Sequence, residues 1–161
     1  MPKHFIIIGA GQAAAQAVQT LRQNSFGGRI PLVGQERYVP YQRPPLSKKY
    51  LAGELETERL YLRPAKFYVD RDVTLELGIR AERLEPSTRR LILEDGRALD
   101  YDGLMLATGS RVRRLDLPGS GLAGIHYVRT ITDAESIRAE LAPGKQLVIV
   151  GAGYIGLEIA S

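Results

Sequence analysis

Hydrophobic positions open the chain as an unbroken run. Residues 5–8 read Phe-Ile-Ile-Ile, and Gly9 ends them. A short run of this kind, bounded by glycine, suits a strand buried on both faces of a parallel sheet. From residue 10 to residue 23 the period changes. Alanine, glutamine and leucine dominate, and Ala14, Ala17, Val18 and Leu21 fall three and four apart. That spacing predicts a helix with one apolar face. Asn24-Ser25-Phe26-Gly27-Gly28 stops it. Residues 29–33 read as a second strand closed by Gly34, with Pro31 placing full pairing after itself because it has no N–H to donate. Strand, helix and strand within about 30 residues is the size of a βαβ unit.

The pattern then breaks up. Pro40, Pro44, Pro45 and Pro64 cut residues 37–72 into pieces, with short helices predicted at 46–51 and 64–69. Residues 73–107 carry short alternating runs at 73–77, 80–84, 89–94 and 98–101, separated by turn sequences, and read as an antiparallel meander. Residues 103–107 form a further buried strand, ended by Thr108-Gly109. Residues 110–124, centred on Pro118-Gly119-Ser120-Gly121, read as a linker. A helix follows at 133–141, with Thr132 as N-cap and Glu135 at the capping-box spacing. Residues 146–150 repeat the buried-strand pattern of 5–8, and Gly151 opens a second glycine turn. With no completed sheet beside it, that strand is expected to be disordered, repacked or used in a dimer contact. The predicted class is α/β: a Rossmann-like parallel sheet with helices plus an antiparallel meander, then the start of a second Rossmann-like unit. The predicted boundaries are residues 1–112 and 113–161.

Composition narrows the chemistry. The 161 residues include no cysteine, which removes disulfides, thiolate metal sites and redox dithiols from this segment. No metal site is expected. The apolar runs are far shorter than the ~20 residues of a membrane span, and the opening lacks a signal-peptide core. A cytoplasmic location is the default. The net charge of +4 is modest, and the basic residues do not interleave with aromatics, so nucleic acid is not the expected partner.

Three segments carry candidate chemistry. Gly9-Ala10-Gly11-Gln12-Ala13-Ala14 is a G-x-G-x-x-A in the demanded strand–turn–helix context. Gly9 permits the tight turn, Gly11 lets a pyrophosphate approach the backbone, and Ala14 lets the helix pack closely. Glu36, with Gln35 beside it, stands after the second strand, where an acidic group binds the adenosine ribose. Gly151-Ala152-Gly153-Tyr154-Ile155-Gly156 is a full G-x-G-x-x-G. Two fingerprints mean either two dinucleotides or one site and a decoy; two would suit a nicotinamide cofactor that delivers a hydride and a flavin that accepts it. Pro40-Tyr41-Gln42-Arg43-Pro44-Pro45-Leu46-Ser47-Lys48 is a stiff loop bearing two cations.

In order and spacing, these segments, with Leu106-Ala107-Thr108-Gly109, Arg129-Thr130, Asp133-Ala134 and Glu158, resemble the FAD-dependent NAD(P)H ferredoxin reductases of bacterial oxygenase systems, the putidaredoxin and rubredoxin reductase type. The resemblance runs essentially end to end. It implies an FAD domain interrupted by an NAD(H) domain. It implies that Gly9, Gly11, Ala13 and Ala14 cradle the FAD pyrophosphate and that Glu36 and Gln35 hold the ribose. Arg43 and Lys48 would face the flavin, Ala81 would line the adenine pocket, and Ala107, Thr108, Gly109 and Arg129 would touch the FAD. Gly151, Gly153 and Gly156 would form the NAD(H) pyrophosphate turn, with Tyr154, Ile155 and Glu158 near the nicotinamide; NADP(H) remains open. Lys48 and Glu158 would form a buried pair beside the reacting atoms.

The implied activity is reduction of FAD by NAD(P)H and delivery of single electrons to an iron–sulfur ferredoxin or to rubredoxin. Measured against that family the chain stops early, so it is expected to be an N-terminal piece, inactive alone, and a homodimer is admitted. Arg111, Arg113 and Arg114 are either a docking patch for an acidic ferredoxin or a solvated linker. The lack of cysteine disfavours disulfide reductases. Monodehydroascorbate reductase, nitrite reductase flavin parts, apoptosis-inducing-factor-like proteins and a non-enzymatic dinucleotide module remain as alternatives.

Overall fold

The computed structural model describes residues 3–161, which form two compact units. One comprises Met1–Gln42 and Tyr61–Gly109, the other Arg43–Leu60 and Ser110–Ser161.

In the first unit the opening run is strand β1 (Phe5–Ile8), followed by helix α1 (Gln12–Gln23) and strand β2 (Ile30–Gly34). Helix α2 (Ala65–Val69) leads into β3 (Val73–Leu77). Strands β4 (Ala81–Glu85), β5 (Arg90–Leu93) and β6 (Ala98–Asp100) precede β7 (Gly103–Leu106). Four of these strands make a parallel sheet in the order β3-β2-β1-β7. This is the doubly wound arrangement, and its strand order reverses beside β1.

The sheet corrects two sequence expectations. Residues 73–77 are not part of the meander. β3 pairs in parallel with β2 along its whole length, from Ile30 opposite Val73 to Gly34 opposite Leu77. The meander proper is the three-stranded antiparallel sheet β4-β5-β6. The strand signal was right, but a short alternating run does not say which neighbour it will pair with. Pairing on the β3 side includes Pro31, opposite Thr74, whereas on the β1 side an isolated bridge of His4 with Arg29 comes first and the continuous ladder starts at Leu32 opposite Ile7.

Because successive strand residues face opposite ways, β1 feeds two cores. Ile7 packs with Ala14 and Val18 of α1, Leu32 of β2, Tyr68 and Val73. Ile6 and Ile8 face the other way and pack with Val33, Leu91 and Leu93. The antiparallel sheet is thus the cover for the second face of the parallel one. Ile6 and Ile7 are fully buried, and burying each such side chain stabilises the fold by roughly 1.5–3 kcal/mol. Arg22 closes the far end of α1. Its guanidinium donates to the carbonyls of Phe26, Gly28, Arg71 and Asp72.

The second unit holds a 3₁₀ turn at Pro44–Ser47, a second at Thr57–Leu60, and helices α3 (Ile131–Glu140) and α4 (Tyr154–Ala160). The helix expected at 46–51 is therefore a 3₁₀ turn followed by single turns. The predicted cap of α3 also moves. Thr130, not Thr132, is the N-cap, and Asp133, not Glu135, completes the capping box. The reason is packing: this start puts Ile131, Ala134 and Ile137 on one buried face. Residues 146–150 form no strand: the buried-strand pattern of the residues is not realised, in keeping with the expectation that the segment does not pair without a completed sheet. Their backbone is irregular and Val148 is 83% exposed. A strand needs a partner for its N–H and C=O groups, and among the described residues none runs beside this one.

Gly9 is the position in this fold least tolerant of a side chain. Gly9→Ala is expected to destabilise the protein by about 3 kcal/mol or more, combining a disfavoured backbone conformation with overlap against Ala107. Chemical denaturation of the two proteins measures this, and an unchanged midpoint would refute it.

Candidate functional site

The first unit builds its candidate site where β1 ends. Gly9 N–H donates to the Val33 carbonyl and the Ala107 N–H donates to the Ile8 carbonyl, both at 2.7 Å. Gly9 sits at φ +116°, and a Cβ there would lie 2.0 Å from the Ala107 oxygen. Glycine at this position is demanded by the neighbouring strand exit. Gly11 is different. It has extended backbone, and a Cβ added to it meets nothing within 4 Å. The fold does not require glycine here, and the bare backbone faces open space that a ligand can enter.

Helix α1 starts directly behind this opening. It has no side-chain cap and no acidic residue in its first turn. Its opening N–H groups, those of Gln12, Ala13 and Ala14, precede the Ala15 N–H bond to the Gly11 carbonyl. Such an end attracts an anion through free donors and the positive end of the helix dipole. Ala14 is fully buried beneath it, as close packing requires, while Ala13 is exposed.

Gln35 and Glu36 follow β2. Gly34 lies against Ala10, where an added Cβ would meet the Ala10 Cβ at 2.5 Å, so this strand end is held close to the glycine turn. Tyr41 Oη–H donates to Glu36 Oε2 at 2.5 Å and the Gly78 N–H to the Glu36 carbonyl at 3.0 Å. Ala81 opens β4 opposite Leu93. Ala107 is half-buried and Thr108 exposed, and Gly109 takes φ +67°. A phosphate-accepting helix end, an anchored carboxylate and a bare glycine backbone are the donor set that a dinucleotide needs, so FAD fits this unit.

The second unit gathers the cationic loop and both later motifs. Arg43 Nη1 donates to the Arg129 carbonyl at 2.5 Å. Asp133 Oδ2 accepts the N–H groups of Arg129 and Thr130 at 3.0 and 2.7 Å, so the α3 capping box also fixes Arg129. Arg129 Nε is buried and, among the described residues, has no hydrogen-bond partner, so it is a donor with room for an acceptor. Lys48 Nζ stands 3.0 Å from Glu158 Oε1. The expected pair is formed, but it is not buried: the side chains of Lys48 and Glu158 are 49% and 29% exposed, because α4 lies open to solvent along much of its length.

The sequence reading overlooked Ser47. Its side chain is only 6% exposed, and its hydroxyl donates to Glu158 Oε2 at 2.6 Å. Glu158 is therefore held at both oxygens. This holds its carboxyl below the ordinary value of 4.5, with the Ser47 hydroxyl the larger cause and Lys48 the next. A serine beside a lysine in a proline-fixed loop was the available signal. The second glycine turn keeps its own geometry. Gly151 takes φ +110°, Gly153 has no neighbour within 4 Å of an added Cβ, and Gly156 packs so closely that a Cβ would lie 2.4 Å from the Gly151 carbonyl oxygen. Tyr154 is 89% exposed, and Ile155 is exposed beside it.

These features place the chain in a class. The family model described as pyridine nucleotide-disulphide oxidoreductase matches residues 3–161, and the chain belongs to that family. Among individual proteins, it is 47% identical over 156 residues to a ferredoxin–NAD(P)(+) reductase of Sphingomonas sp, covering 97% of this chain and 38% of that protein. It is 48% identical over 157 residues to rhodocoxin reductase of Rhodococcus erythropolis, covering 98% of this chain and 37% of that protein. Putidaredoxin reductase, solved as a covalent complex with putidaredoxin, superposes with a TM-score of 0.89 at 42% identity, covering 98% of this chain and 39% of that one. The chain thus spans less than two fifths of the length of the relatives it matches. Among the described residues no helix is long and apolar enough to cross a membrane.

The Glu158 carboxyl reports its own surroundings. Its titration midpoint, followed by carboxyl NMR, is expected below 4.5 in the native protein and to rise in Ser47→Ala. Since the folded-state value is lowered, the stabilisation it brings is present above the unfolded value and is lost as pH falls through the folded one. The stability gap between native protein and Glu158→Gln should shrink over that interval.

Proposed function

We propose that this chain carries the FAD cradle and the opening of the NAD(P)H site of a flavoprotein ferredoxin reductase. The observation that supports it is the pair of glycine turns with matched geometry, at φ +116° and +110°, each followed by a glycine whose side-chain position is open. Two turns of this kind suit two dinucleotides. When bound, FAD supplies the step between the two-electron chemistry of a hydride and the one-electron chemistry of an iron–sulfur protein.

The chain's residues bind and orient. In the first unit, Gly9, Gly11, Ala13 and Ala14 present backbone to the FAD pyrophosphate, and Glu36 with Gln35 accepts from the adenosine ribose. Ala81, Ala107, Thr108 and Gly109 line the remainder. In the second unit, Arg129 Nε offers the buried free donor to a cofactor oxygen, and Arg43 is fixed on the Arg129 carbonyl. Lys48 brings a positive charge toward developing negative charge, oriented by Glu158. Gly151, Gly153 and Gly156 accept the NAD(P)H pyrophosphate, with Tyr154 and Ile155 on the adjoining exposed surface.

The electron acceptor we infer is a ferredoxin, as the names of the relatives state for those proteins. Rubredoxin is the less favoured acceptor and a homodimer is compatible with the reading. Arg111, Arg113 and Arg114 are exposed and could meet an acidic acceptor. A cytoplasmic protein is the corresponding location.

The FAD-loaded full-length protein, mixed with NADH under anaerobic conditions, is expected to lose its yellow colour. In Lys48→Met that step should slow by about a hundredfold, the usual loss when one preorganised charge-stabilising group is removed. A yellow protein that neither NADH nor NADPH bleaches would overturn the reading in favour of a binding module.

A further inference from the structure

We propose that Tyr50 is a positioning residue: through its bond to Glu135 it fixes the loop that carries Arg43, Ser47 and Lys48. The proposal rests on the reading of Lys48 given above for its kinetic consequence, but not for its structural one.

The loop is pinned at three points. Arg43 bonds the Arg129 carbonyl and Ser47 bonds Glu158, both already described. The third pin is Tyr50. Its ring is 2% exposed, its hydroxyl donates to Glu135 Oε1 at 2.9 Å, and the same oxygen lies 3.0 Å from Thr57 Oγ1. Arg138, one turn beyond Glu135 on α3, stands 5.5 Å from the Tyr50 ring centroid and donates to the Tyr50 carbonyl at 3.4 Å. Hydroxyl, ring face and carbonyl of one residue are thus all held, and all three by residues of α3. A tyrosine kept only for its bulk would not need its oxygen placed between an acceptor, Glu135, and a donor, the Thr57 hydroxyl.

Backbone bonds carry this restraint to Lys48. The Pro45 carbonyl accepts the N–H groups of both Lys48 and Tyr50, at 3.0 and 3.1 Å. The Lys48 carbonyl accepts from Ala52, the Lys49 carbonyl from Glu54 and the Tyr50 carbonyl from Gly53. Residues 45–54 are therefore consecutive closed turns, so a shift of Tyr50 also moves Lys48. The same helix that holds Tyr50 carries at its start the capping box that fixes Arg129 and, through it, Arg43. One helix sets both ends of the cationic loop.

Tyr50→Phe keeps the ring and removes only the bond. In the full chain without cofactor, it is expected to raise the Glu158 titration midpoint toward 4.5, although Tyr50 does not touch Glu158, because Ser47 and Lys48 leave it. Glu135→Leu should do the same, and Glu135→Gln, whose amide oxygen still accepts, should restore the native midpoint. In the FAD-loaded full-length protein, Tyr50→Phe should slow flavin bleaching by roughly three- to tenfold at saturating NADH with NADH affinity unchanged, the scale of one displaced hydrogen bond. A native Glu158 midpoint in Tyr50→Phe, or a Glu135→Gln variant as perturbed as Glu135→Leu, would overturn the proposal. So would a rate loss that tracks FAD loss. If NADH fails to bleach the native protein, the proposed function fails while the titration still decides the role of Tyr50.

Discussion

The carboxyl ends of three strands converge on Gly9. β1 ends there, the end of β2 receives its N–H, and the residue after β7 sits with its carbonyl oxygen where a Cβ would be. Every other feature of the first unit follows from this closure. Strands this close leave one direction for the chain to leave, over the sheet, and α1 begins after one extended residue. The helix start is then left without a side-chain cap at the point where the strand order reverses, which is where open parallel sheets receive ligands. The constraint that shapes the fold and the opening that can take a phosphate lie two residues apart, at Gly9 and Gly11. They are glycine for opposite reasons: one because protein is too near, the other because protein is absent.

The second glycine turn tests how much of this is local. Gly151 adopts nearly the backbone of Gly9 even though residues 146–150 form no strand and nothing lies within 4 Å of its added Cβ. The turn and the short helix after it are therefore encoded by their own residues. The strand before it is not, because β structure is a relation between segments. Leu147, Val148 and Val150 have the composition of a buried strand and are exposed. The same distinction explains what could be read from the amino acids alone. Phe5–Ile8, α1 and both glycine turns were legible since their patterns are short-range. β3 was misassigned to the meander since its partner, β2, lies some 40 residues earlier in the chain.

The site was legible to a similar degree and for similar reasons. Glu158 and Lys48 could be paired from a family pattern, but their exposure could not, nor could Ser47, whose role depends on a contact across 111 positions. Tyr50 and Glu135 are 85 positions apart and individually unremarkable in the sequence. Thr130 and Thr132 both precede an acid at the capping-box spacing, Asp133 and Glu135. Only the burial of Ile131 separates them. Local chemistry proposes several caps, and packing chooses one.

The half-open ion pair shows how such a site can be both ordered and able to respond. Coulomb attraction between Lys48 and Glu158 is weakened by water on both sides, so attraction alone would not orient either group. Order comes instead from the buried hydroxyl of Ser47, which holds one carboxylate oxygen and leaves the other for the ammonium. Glu158 is therefore anchored from the protein side by Ser47, and the Lys48 ammonium meets the other carboxylate oxygen. A lysine held in this way can turn its ammonium toward an arriving negative charge without displacing the glutamate. A deeply buried pair could not do so, since separating its charges would leave each unpaired in a poor solvent for ions. Partial exposure thus leaves the ammonium free to turn, which the buried arrangement suggested by the family pattern would not.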